Sequence, residues 1–214
     1  MCCAIILELF IIALWVCKKA STGESRKELK MRDHVCPIWM GYLLTNPLRR
    51  LVQSPEKILS KYIGEGMSVI EVGPAMGFFS LYLARAVGEQ GRVFCIDIQE
   101  EMLKKLSKRA EKSGLSNRIE TRLCPSGSLK VEDLEGKCDF ALVFAVVHET
   151  SDPEKLFSEL YSSLKSGGGM LVSEPSGHVT AYEFEKTIEL AKKAGFIFKE
   201  SPRISLSRSA FLVK

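Results

Sequence analysis

At 214 residues, with 46% hydrophobic and 26% charged side chains, the chain can bury a full core and has neither a disordered nor a fibrous composition. Its net charge of +4 spreads thirty basic residues among twenty-six acidic ones without a long basic run, which argues against a nucleic-acid partner. Seven cysteines, an odd number with no CxxC pair, exclude an even disulfide framework or a compact metal motif and point to a reducing, cytoplasmic setting.

The chain opens on an almost wholly apolar stretch, residues 2–17, broken by Glu8 and followed by Lys18 and Lys19. As a helix it would span about 24 Å, short of the roughly 30 Å hydrocarbon core. No basic lead or small-residue cleavage site marks it as a signal peptide. Residues 18–30 read as a charged linker. A marginal membrane anchor through residues 1–17, an interfacial or partner-bound helix, and an extension upstream of the true start all stay open. The last is favoured, because Met31 begins the part that reads as a folded domain, residues 31–214.

Residues 66–72 end in Val69-Ile70-Glu71-Val72, a β-branched run with an acid, and Gly73 and Gly77 then bracket a turn that opens a helix over 77–86. Glycine there lets backbone N–H groups and a helix N-terminus face a ligand closely. Twenty residues past Gly77, a strand over 92–97 ends in Asp97, where an open α/β sheet places an acid for a ribose hydroxyl pair. A helix over 99–112 stops at Gly114, and residues 118–123 alternate as a third strand. Residues 139–144 are apolar after Asp139, as in a central strand covered on both faces. Asp152 caps a helix with Pro153 at its first position, running to Leu164 before three glycines. A fifth strand over 169–173 follows. Thr180 with Glu183 makes a capping box for a helix that stops at Gly195, and 196–199 and 207–213 read as closing strands. Alternating strand and helix is the pattern of a parallel sheet with crossover helices.

Two cofactor classes use such a turn. A dinucleotide site needs three glycines against its pyrophosphate, whereas here Pro74 and Ala75 stand where another glycine would sit, and Pro74 has no N–H to donate. Glu71 suits an ammonium better than a phosphate. The residues therefore favour S-adenosylmethionine over the nicotinamide of an oxidoreductase.

From Pro55 to Lys214 the chain resembles the class I S-adenosylmethionine-dependent methyltransferases of the small single-domain type. The turn from Glu71 to Gly77, Asp97-Ile98, CDFALVFAVVHE and DPEKLFSELYSSLKSGGGMLVSEP carry the likeness. It implies a doubly wound α/β fold, a seven-stranded mostly parallel sheet with an antiparallel last strand. Glu71, Gly73, Pro74, Ala75 and Gly77 would surround the methionine part of the cofactor. Asp97 would bind the ribose and Ile98 lie against adenine, with Cys124 and Ser126 nearby and Phe144 also bordering the cofactor. Two departures are Ala75 in place of a central glycine and Cys124-Pro125-Ser126 in place of the acid after the third strand.

Ligands in such sheets sit at the carboxyl ends of strands. The ends of strands four and five, 144–149 and 174–178, face the acceptor and carry His148 and His178. His148 is the first candidate for a general base and His178 the second; the competing reading makes His148 a capping or packing group. Glu149 and Glu174 are better suited to orient a neighbour or the loop. Residues 31–59, also reached by the resemblance, are placed as an acceptor-side lid. There Trp39, Tyr42 and Leu43 could form an apolar wall, Asn46-Pro47 interrupts a helix, and Arg49-Arg50 could meet an anion. Plain packing and solvation explain these residues equally well.

The acceptor expected is a small molecule. Base methylation is disfavoured because FAVVHE replaces the polar signature of amino-methylating nucleic-acid enzymes. Alternatives are a metalloid or thiol acceptor held by Cys36 and Cys124, with His34 and His148 near, or a cofactor-binding protein without catalysis.

Overall fold

The computed structural model describes Gly41, Thr45, Asn46 and residues 49–214. In chain order the elements are α1 (Arg49–Val52), α2 (Pro55–Leu59), β1 (Ser68–Val72), α3 (Ser80–Ala86), β2 (Arg92–Asp97), α4 (Glu100–Lys112) and β3 (Ile119–Leu123). They continue with β4 (Cys138–Phe144), α5 (Pro153–Ser163), β5 (Leu164–Pro175), α6 (Ala181–Lys193), β6 (Ile197–Glu200) and β7 (Ser207–Val213). Short 3₁₀ turns occupy Glu132–Leu134 and Val147–Glu149. The readings made for residues 1–30, and those resting on His34, Cys36, Trp39, Tyr42, Leu43 and Pro47, lie outside the described residues. Among the described residues no helix is long and apolar enough to cross a membrane.

The strands form one seven-stranded sheet in the order β3-β2-β1-β4-β5-β7-β6, the mostly parallel, doubly wound arrangement expected. β7 runs antiparallel to both β5 and β6, placing the chain's last strand inside the sheet and exposed β6 at its edge. Alternate residues feed two cores. Ile70 and Val72 of β1 join Ala141, Val143 and Phe157 on one face, while Val69 joins Leu83, Leu106 and Leu142 on the other. Glu71 points to this second face, where a purely structural strand would carry an apolar side chain.

Local signals account for the helices. The Asp152 carboxylate accepts the Lys155 N–H at 3.0 Å ahead of Pro153. The Thr180–Glu183 capping box starts α6. Two boundaries differ from expectation by more than two residues. α3 begins at Ser80 rather than Gly77, because the turn closes on its own Gly77 N–H to Pro74 carbonyl bond of 2.9 Å before the helix starts. β5 begins at Leu164, ahead of the three glycines instead of after them. Leu164 pairs with Cys138 and Gly169 with Phe140, so the chain bulges at the glycines without leaving the sheet.

Candidate active site

β1 and β4 lie side by side, but their connections depart to opposite sides, so a crevice opens beyond their carboxyl ends. The glycine turn forms one wall. Gly73 donates its N–H to the Ile96 carbonyl at 2.9 Å and adopts φ +65°. A Cβ on Gly73 would fall 2.5 Å from Val146 Cγ2, so only glycine lets this turn meet the loop after β4. Pro74 and Ala75 continue the wall, Ala75 with φ +49°. Gly77 does not border the cleft. Its missing Cβ makes room for Leu106 Cδ1, so this glycine serves the packing of the turn on α4.

Two acids stand at the adjoining strand ends. Asp97, 8% exposed, accepts the Gln99 N–H at 2.9 Å on one oxygen and the Ala75 N–H at 3.3 Å on the other. Burial pushes its carboxyl up to about 6 against the pull of those backbone donors. The carboxylate therefore has room for further donors, which a ribose hydroxyl pair would supply. Glu71, 3% exposed, receives the Cys95 thiol at 3.6 Å. Burial pushes it up to about 7, opposed by Ser80 and Cys95 and reinforced by the charge of Asp97. A buried acid held near neutral pKa at a cleft is one that an incoming ammonium would ionise. A glycine cradle and two under-solvated acids thus fit the amino, carboxyl and ribose parts of an aminoacyl nucleoside.

Ile98, 42% exposed, and Cys124 and Ser126 form the outer rim on this side. Burial pushes the Cys124 thiol up to about 11. Ser126 Oγ lies 3.1 Å from Ser151 Oγ.

The opposite wall is organised by Glu174, 1% exposed at the end of β5. One of its oxygens accepts the N–H groups of Val146 and Val147 at 3.1 and 2.8 Å, and the other meets His148 Nδ1. These bonds hold a tight loop in which Ala145 takes φ +58° and donates its N–H to the Ser173 carbonyl at 2.7 Å. Burial alone would lower the His148 pKa, but the hydrogen bond and charge of Glu174, with the charge of Glu149, raise it above 6.5 overall. His148 Nε2 lies 3.8 Å from a Glu149 oxygen, and the His148 and His178 rings are 5.8 Å apart between centroids. Both histidines, with Phe144 and Glu149, border the same cleft as the glycine turn.

The described part of the expected lid also reaches the cleft, through Thr45, Arg49 and Gln53. The two arginines separate: Arg50 is exposed, while the Arg49 guanidinium stacks 4.3 Å above the Phe78 ring. Sequence reasoning missed Gln53, Phe78 and Phe79. Gln53 is a polar residue between two short helices, and the two phenylalanines read as the apolar start of a helix.

Residues 63–201 match the sequence profile of a family described as "Methyltransferase domain". The chain is 28% identical over 109 residues to the arsenite methyltransferase of Halobacterium salinarum, covering 51% of this chain and 27% of that protein. It is 30% identical over 112 residues to the ubiquinone/menaquinone biosynthesis C-methyltransferase UbiE of Klebsiella pneumoniae, covering 52% and 44% respectively. The chain thus spans less than half the length of these curated relatives. Among solved structures, a SAM-dependent methyltransferase from Aquifex aeolicus superposes with a TM-score of 0.75 at 24% identity, over 84% of this chain and 99% of that one.

Proposed function

The chain belongs to the S-adenosylmethionine-dependent methyltransferases, with S-adenosylmethionine as its cofactor, and on that premise we propose that it methylates a small molecule seated against His148 and His178. The observation that carries this reading is the Glu174–His148 pair opening on the cleft that also holds the glycine turn and Asp97. When bound, the cofactor supplies an electrophilic methyl group on a cationic sulfur that leaves as a neutral thioether. Gly73, Pro74 and Ala75 form the backbone cradle for its amino acid end, with Glu71 facing the ammonium. Asp97 accepts the ribose hydroxyls, Ile98 covers the adenine, Cys124 and Ser126 border it, and Phe144 closes the inner wall.

His148 removes the acceptor's proton. In the neutral ring, Nδ1–H donates to Glu174, which leaves Nε2 as the basic nitrogen. The raised pKa increases that nitrogen's hold on a proton. His178 lines the acceptor's other flank, and Thr45, Arg49 and Gln53 support the lid role of residues 31–59 within a domain spanning 31–214. Cys95, Cys124 and Cys138 are free of disulfides, which supports a reducing, cytoplasmic location.

The experiment is metabolite profiling with a methyl-labelled donor, comparing the protein with Asp97→Ala. A labelled small molecule made only by the unsubstituted chain is expected. Label confined to protein or nucleic acid would refute the small-molecule reading.

The likeness to an arsenite methyltransferase favours a second reading, a metalloid acceptor held by thiolates. Against it, Cys124 keeps its proton up to about pH 11. Activity surviving Cys36→Ser and Cys124→Ser would leave that reading without support.

A further inference from the structure

We propose that Leu206 selects the acceptor, which turns an apolar, ring-sized body toward it while the atom to be methylated faces His148; this deepens the small-molecule methyltransferase reading and rests on it. The Ser207 N–H donates to the Ile204 carbonyl at 3.2 Å and closes a β-turn just ahead of β7. Leu206 is the third residue of that turn and takes φ +60°, a place that glycine or asparagine fills in turns of this kind. A leucine side chain there crowds its own backbone, and such strain persists only where the surroundings impose it. They impose it from both sides. The Leu206 carbonyl accepts the Ser176 N–H at 3.0 Å, while the buried Gln53 side chain donates to the Ser205 carbonyl at 2.9 Å and to Ser207 Oγ at 3.3 Å.

What the strain achieves is placement. Among the described residues four that are not glycine take positive φ, and three of them, Ala75, Ala145 and Leu206, border the cleft. Ala75 belongs to the cofactor cradle and Ala145 to the loop that Glu174 holds, and both are small. Leu206 alone of the three brings a large apolar side chain, which stays half-buried and joins neither core cluster of the described residues. Its neighbour Ile204, 8% exposed, already supplies the turn's contact with the core. Ser207 pairs with Pro175 of β5, so Leu206 stands beside the strand end that leads to His178. From Asp97 at the end of β2 it is four strand spacings away, about 19 Å, on the acceptor side of the sheet. Phe144, Val146 and Pro175 line the cleft between the two, surface that an apolar body removes from water and a polyhydroxylated one does not.

The test is isothermal titration of the protein saturated with S-adenosylhomocysteine, using phenol, naphthol and, as the polar control, glucose. Saturable binding of at least one of the two ring alcohols and none of glucose is expected. Leu206→Asn keeps a residue that accepts the left-handed backbone but removes the apolar surface. It should weaken the better-bound ring alcohol tenfold or more while changing S-adenosylhomocysteine affinity less than threefold, and Leu206→Met should keep that binding within threefold. Leu206→Gly, which removes the side chain and the strain together, should reproduce the loss. The melting temperature separates this role from packing, because a Leu206 that serves the cleft lets Leu206→Asn melt above the parent or within about 5 °C of it. Ring-alcohol binding undiminished in folded Leu206→Asn and Leu206→Gly proteins, a larger fall in the melting temperature, saturable binding of glucose, or no saturable ring-alcohol binding to the loaded protein would each overturn the proposal. Failure of S-adenosylhomocysteine to bind the unsubstituted chain, or methyl label found only on protein or nucleic acid, would instead refute the reading beneath it.

Discussion

Glu71→Gln should stabilise the cofactor-free protein and weaken cofactor binding in the same molecule. Burial raises the Glu71 carboxyl from 4.5 to about 7, so the folded chain keeps this proton over a range where the unfolded chain has released it. The stability tied to the proton is complete below about pH 4.5 and is lost as pH rises through about 7. At about 1.36 kcal/mol per pKa unit, ionised Glu71 costs the native state about 3 kcal/mol at pH 8 and about 1 kcal/mol or less at pH 5. Glutamine keeps the shape without the charge, so the gain should be largest at pH 8, reduced by the amide's own burial. Urea denaturation at the two pH values measures it. Calorimetry on the same samples should show S-adenosylmethionine binding weakened tenfold or more, because the ammonium loses its counter-charge. A variant less stable than the parent at pH 8, or a difference independent of pH, would sink the assignment of Glu71 as a strained acid. Undiminished affinity would remove it from the ammonium subsite.

Three further outcomes are expected. Asp97→Ala should cost about 2 kcal/mol of S-adenosylmethionine binding by calorimetry, since ribose hydroxyls would lose a buried charged acceptor; equal affinity in a folded variant would place the ribose elsewhere. His148→Asn should lower turnover by about 10² to 10⁴-fold with cofactor affinity nearly constant. Turnover of the parent should rise with pH through an ionisation above 6.5, Glu174→Gln should move that inflection to lower pH, and His148→Asn should abolish it; turnover within about threefold and an unchanged profile would make His148 structural. A chain beginning at Met31 should keep its cofactor affinity and melt within about 5 °C of the full chain, where a larger drop, on the order of 1 kcal/mol, would mean residues 1–30 pack on the domain.

The architecture was legible because its causes are local. β4 is covered on both faces and so reads as an apolar run from Phe140 to Phe144, and Asp152-Pro153 and Thr180–Glu183 write their caps into a few consecutive residues. Glycine was less readable, because its spacing records that a Cβ is forbidden and not what forbids it. At Gly73 the obstacle is Val146 across the cleft, at Gly77 it is Leu106 of α4, and at Gly169 it is the Phe211 ring. The first of these obstacles borders the cleft. A triple glycine that looks like a stop can equally be the place where a strand bulges and a ring packs tightly against it.

The wall that carries His148 shows the other boundary of sequence reading. His148 and Glu174 are 26 residues apart, and nothing along the chain says that they touch. The register does: Phe144 pairs with Ser173, so the residues just past both strand ends emerge side by side. Placing histidine and glutamate at strand ends narrows the candidates, and the pairing of β4 with β5 then selects the couple and fixes which ring nitrogen is bound. Arg49 lies further out of reach. Its position depends on Phe78 at the foot of α3 and on Gln53 held by Ser205 and Ser207 near the far edge of the sheet, three segments with no common periodicity. Cofactor contacts recur at fixed offsets from strands that every such sheet must build, so they leave a pattern in one sequence. Other cleft residues come from whichever segments the sheet brings above the strand ends, and here Arg49 and Gln53 meet Ser205 and Ser207 from the opposite end of the described length.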